Sequence, residues 1–88
     1  MEKKSYEQIR TEIAKAKQVV KEDGIYVHYK NPDSRYEVKG FGVQEADNEI
    51  CVLYSPVSMP DVVFTRPVKV WLESVDGTPR FSLINRGN

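Results

Sequence analysis

The sequence changes its period at Gly24. Before it, Tyr6, Ile9, Ile13, Ala16 and Val20 recur at spacings of three and four, one stripe of a helical repeat. This predicts a helix over about residues 5–22. Ser5 can cap its start, with Gln8 completing a capping box, and Gly24 can supply the left-handed turn that stops it. Glu12 and Lys15 can pair on the exposed side. The stripe needs a surface to cover it. The rest of the chain is the obvious one, and a partner helix in a dimer is the alternative.

After Gly24 the residues become β-branched and aromatic. Residues 25–30 read as a first strand and Asn31-Pro32-Asp33-Ser34 as a turn. Residues 35–44 form a second strand with a parity conflict. Tyr36 and Val38 point one way, and Phe41 and Val43 the other. A bulge at Gly40 would return both pairs to one side and bend the strand as a small curved barrel requires. Residues 45–48 make a turn, 49–54 a third strand, 55–61 a loop with two prolines, and 62–65 a fourth strand. Pro67 can open a short helical turn through Val70. Residues 71–75 and 79–84 flank Asp76-Gly77, a strong hairpin signal, and 85–88 read as a frayed tail.

The chain has 88 residues, which fits one domain with a small core and little room for a deep cavity. Residues 1–24 are the helix, 25–84 the barrel and 85–88 the tail of that domain. Its 13 Lys plus Arg balance 13 Asp plus Glu, which gives no basic excess of the kind nucleic-acid binders commonly show. Cys51, the one cysteine, sits in the apolar run Ile50-Cys51-Val52-Leu53 and reads as a buried, unreactive packing residue. It cannot form an internal disulfide. The amphipathic N-terminus is not a signal peptide, and no run approaches the ~20 apolar residues of a membrane span. These features give the expectation of a cytoplasmic protein, monomeric or weakly dimeric, away from membranes.

The usual catalytic motifs are missing. There is no Gly-rich phosphate loop, GxSxG or CxxC, and one His with one Cys cannot furnish a standard zinc site. No catalytic residue, metal or cofactor is expected. Three features remain. Among the aromatic residues, tyrosines can line peptide or base-stacking grooves, although most must be core. His28 reads as a hydrogen-bonded structural group in a strand. Arg66 precedes Pro67, which cannot continue a ladder, so its side chain should lie at a rim. There it either clamps an internal carboxylate, Glu37 or Glu73, or faces solvent beside Tyr29 or Tyr54, ready for a ligand. The clamp is the preferred reading.

His28-Tyr29-Lys30, Tyr36-Glu37-Val38, Val52-Leu53-Tyr54, Arg66-Pro67, Trp71-Leu72-Glu73 and Pro79-Arg80-Phe81 together resemble the bacterial DUF1653 family over about residues 25–84. The resemblance implies a small SH3-like β-barrel and no particular activity. Asn31-Pro32-Asp33-Ser34 departs from the family's glycine-containing turn, and Val70-Trp71 from its Met-Phe. Strand alternation by itself puts Ile25, Val27 and Tyr29 inward, but family members often carry a polar residue at the position of Val27, and the resemblance thus implies the reverse, with Tyr26 and His28 inward.

The leading functional expectation is therefore a non-catalytic module that binds a protein or peptide partner. Its candidate ligand residues are His28, Tyr29, Tyr54, Arg66 and Trp71. A nucleic-acid binder using Lys30, Lys39, Arg66, Lys69 and Arg80 is the second, disfavoured by the neutral charge. An enzyme using His28 is the third, and it would need a second titratable group beside the imidazole.

Overall fold

The computed structural model describes residues 4–86. They form one α-helix, α1 (Tyr6–Val19), followed by β1 (Ile25–His28), β2 (Asn31–Gln44), β3 (Glu49–Pro56), β4 (Phe64–Pro67), a single-turn helix α2 (Val68–Trp71), β5 (Ser74–Val75), β6 (Thr78–Pro79) and β7 (Phe81–Asn85). The class is α+β, mainly β behind one N-terminal helix. Five strands make an antiparallel sheet in the order β4-β3-β2-β1-β7, and β5 and β6 form a separate hairpin.

The expected closure into a barrel does not occur. β4 and β7 are the two edges, and no ladder joins them. Pro67 ends β4 without an N–H to donate, and the chain turns at once into α2. That turn carries Trp71 into the concavity, where it is 2% exposed, rather than into the strand expected from residue 71. Trp71 meets Tyr26 of β1 and Tyr54 of β3 edge to face and stacks on Phe81 of β7 at 3.7 Å. Val20, Val38 and Val52 complete the core, with Tyr36, Phe41 and Val68 packed against it.

The bulge forms where the parity conflict requires it. Val38 pairs with Tyr54 and Gly40 with Leu53, leaving Lys39 as the extra residue. Val38 and Phe41 thereby reach the same core. Val43 lies beyond it, 38% exposed. The first hairpin turns earlier than expected, at Tyr29-Lys30, with His28 paired to Asn31. Pro32, Asp33 and Ser34 bulge out between that pair and the next, Val27 with Arg35. β3 runs on through Ser55 and Pro56, because these pair with Glu37 and Tyr36. β4 correspondingly starts at Phe64. Asp76 and Gly77 hold φ of 52° and 81°, the two left-handed residues of a type I′ turn. The second arm of that hairpin breaks at Arg80. Its N–H turns back to the Glu73 carbonyl at 2.9 Å, while its own carbonyl accepts from Tyr29 N–H at 3.0 Å.

Ser5 caps α1 through the reciprocal bonds with Gln8. The helix ends sooner than its stripe suggests, and Asp23, not Gly24, takes the left-handed conformation with φ of 64°. Gly24 is needed for closeness instead. A Cβ there would lie 2.9 Å from both Leu83 Cδ1 and the Lys21 carbonyl oxygen. The Tyr26 hydroxyl accepts from Lys21 N–H at 2.9 Å and fixes the exit from the helix. Glu12 pairs with Lys4 at 2.8 Å, not with Lys15. Only the C-terminal half of the stripe is deeply covered. Ala16 and Val20 are buried, Ile9 and Ile13 are half-buried, and Tyr6 is 85% exposed. Tyr6 sits roughly 15 Å along the helix axis from Ala16, beyond the packed segment. Cys51 is buried in β3, with burial and then Glu49 and Asp47 raising its thiol pKa above 9.0.

Two substitutions separate the packed and unpacked parts of this arrangement. Val52→Ala removes a wholly buried side chain and should lower the unfolding free energy by about 2–3 kcal/mol. Tyr6→Ser should leave it within about 0.5 kcal/mol of the parent. Urea titrations followed by circular dichroism measure both. A large loss on changing Tyr6 would mean that the helix start is covered in solution.

Candidate functional site

The break between β4 and β7 is where the side chains with chemistry meet. His28, Asn31, Tyr36, Tyr54, Phe64, Arg66 and Phe81 line a depression of about 300 Å³. Every strand of the five-stranded sheet contributes to it. Strand alternation accounts for the assembly. Tyr26 and His28 face inward, as the family resemblance implies. Tyr26 reaches the core and His28 stops at its edge, half-buried.

The aromatic walls are mutually braced. Tyr54 contacts Tyr36, Phe64 and Phe81 with ring centroids 5.6, 5.7 and 5.7 Å apart. Phe81 also takes the His28 ring edge to face at 4.9 Å. Trp71 lies behind Phe81 and does not line the depression, so as a ligand residue it is corrected to core. Tyr29 stands beside the site, its ring 4.8 Å from His28. Tyr36, Phe64, Phe81 and Asn31 were not among the candidates. Their signal was weak, because each reads equally well as core, strand start or turn. Tyr36 and Phe81 had a pointer in the family resemblance, the Tyr36-Glu37-Val38 and Pro79-Arg80-Phe81 triplets.

Arg66 does not form the expected clamp. Glu37 is held by Lys39 at 3.0 Å and Glu73 by Arg80 at 3.0 Å. Arg66 instead donates from Nε to the Tyr54 hydroxyl at 3.3 Å and lies 5.2 Å from the Phe81 ring centroid. Among the described residues it has no carboxylate partner. Its Nη groups remain the donors available for a bidentate contact.

His28 is fixed in one tautomer. Its Nδ1 accepts from Lys30 N–H at 3.1 Å. A backbone N–H can only donate, so the neutral ring carries its proton on Nε2 and presents a donor there. Burial, followed by the charges of Arg66, Arg80 and Lys30, lowers its pKa below 6.5. The site therefore combines a cation, a neutral N–H donor and aromatic walls, in a positive local field.

Of the five cations considered for a nucleic-acid surface, Lys39, Lys69 and Arg80 are engaged with Glu37, Glu49 and Glu73. Among the described residues, no group of three His, Cys, Asp or Glu is placed to hold a metal, and no helix is long and apolar enough to cross a membrane.

A short helix laid on a curved, open antiparallel sheet, with an aromatic depression at the open side, defines the class of domain. The chain belongs to the DUF1653 family, described as a protein of unknown function, whose model matches residues 24–83. It is similar to the crystal structure of a DUF1653 protein from Bordetella bronchiseptica, at 27% identity and a TM-score of 0.60 over 75% of this chain and 90% of that one. No curated protein matches.

Arg66→Ala should raise the His28 pKa, because a cation that opposes its protonation is removed. Proton NMR titration of the imidazole measures the shift. No carboxylate is orphaned, so the stability loss should be about 1 kcal/mol, from one hydrogen bond and the ring contact. His28 is neutral in the fold and protonates more readily unfolded, so it contributes stability above pH 6.5 that is lost as pH falls toward its lower folded value. The variant narrows that window. An unchanged His28 titration would contradict the electrostatic account.

Proposed function

We propose that this domain is a binding module whose depression between β4 and β7 holds a small, flat anionic group. The single observation that carries the reading is Arg66, lodged among rings by Tyr54 and Phe81 and without a carboxylate partner among the described residues. A guanidinium in that position pairs a carboxylate through two parallel hydrogen bonds. The volume of about 300 Å³ suits one ring or one side chain, at the small end of ligand sites. The walls mix aromatic rings with polar groups, and the His28 Nε2–H adds a second donor. Binding is preferred over catalysis because the titratable neighbours of His28 in the depression are tyrosines and an arginine, a set suited to holding a charge and without an acid–base pair.

Benzoate tests the reading. In a two-dimensional NMR titration its shifts should centre on His28, Asn31, Phe64, Arg66 and Phe81. Neutral benzamide should produce much weaker changes, and Arg66→Gln should abolish the difference between the two. Shifts centred elsewhere, or equal responses to both compounds, would sink the proposal.

A further inference from the structure

The depression is not isolated. Tyr36 and Phe64 also line an adjoining groove of about 520 Å³ whose other walls are Asp33, Ser34, Arg35, Pro56, Val57 and Ser58. Val57 is 48% exposed and Phe64 44%, a pair of apolar side chains turned to solvent along this path. Arg66, His28 and Phe81 lie in the depression and not in the groove, so a chain entering along the groove passes Asp33 and Arg35 and meets Arg66 last.

We propose that the ligand is the C-terminal end of an extended peptide, and this rests on the binding reading above. The terminal carboxylate sits on the Arg66 Nη groups and the His28 Nε2–H. The last side chain, apolar, lies among Tyr54, Phe64 and Phe81, and the preceding residues run over Tyr36 and Val57. Charge matching supports this occupant. In the depression Arg66 is the one Lys or Arg, without a carboxylate partner among the described residues, and matches one terminal charge; the groove adds Arg35 but also the acidic Asp33, whereas a phosphodiester chain needs a row of cations. Here Lys39, Lys69 and Arg80 are already engaged with carboxylates. The exposed apolar side chains Val57 and Phe64 along the groove favour a chain over an isolated small anion, which would leave them unused.

Fluorescence anisotropy with N-terminally labelled pentapeptides ending in Phe, Leu or Val tests the idea. Each is made as the free acid, as the C-terminal amide, and with an internal Glu followed by an amide. The free acids should bind at least about tenfold more tightly than either amide form, the loss expected when a charge-assisted contact is removed. Arg66→Gln should erase that preference. Val57→Asp, at an exposed position, should weaken the peptides while leaving the benzoate response intact. Two results would overturn the inference with the pocket reading still standing: benzoate binding at the depression with acid and amide peptides equal, or internal Glu peptides matching the free acids. Failure of benzoate and peptides alike would remove the pocket reading and this inference together.

Discussion

Trp71 and Phe81 stack face to face at 3.7 Å, and this contact ties the short helix α2 to the returning strand β7. No ladder crosses from β4 to β7, so the side of the sheet that backbone bonds leave open is held by rings. Tyr26 and Tyr54 brace Trp71 from β1 and β3, which places all three core aromatics within about one ring diameter of it. Phe81 faces two ways as a result. It belongs to the core through Trp71 and forms a wall of the depression through His28, Tyr54 and Arg66.

That double duty explains how a chain of 88 residues forms an aromatic depression without a deep cavity. A small domain cannot spare much interior volume. This one leaves its sheet unclosed and lines the gap with the outermost layer of its core. The cost in ladder bonds is small, since β4 ends at a proline and could not have continued.

Much of this was legible in the residues. The parity switch between Val38 and Phe41 located the Gly40 bulge, because alternation leaves no other way for both to reach one core. Asp76-Gly77 fixed its turn, since few residue pairs accept two left-handed conformations. The inward facing of Tyr26 and His28 came from the family resemblance, whereas alternation alone points to the opposite face, with Ile25, Val27 and Tyr29 inward. Other features depended on three-dimensional competition. Glu37 and Glu73 were both plausible partners for Arg66, and neither sequence distance nor charge tells that Lys39 and Arg80 take them. Trp71 has the propensity of a strand residue and sits in a helical turn, because Pro67 sets the local backbone. Tyr6 fits the helical stripe, yet periodicity is silent about where the opposing sheet ends. The open seam was not legible at all, since closure depends on whether two strands distant in sequence approach within bonding range.

The stacked pair has one more consequence. The chain contains a single tryptophan, 2% exposed and lying flat against a ring that also walls the depression. An indole emits according to the polarity and rigidity of its immediate surroundings. A group seated against the far side of Phe81 changes both without touching the indole. The lone fluorophore, one aromatic layer behind the mouth, thus serves as a built-in optical gauge of unfolding, and of the proposed binding, with no label attached.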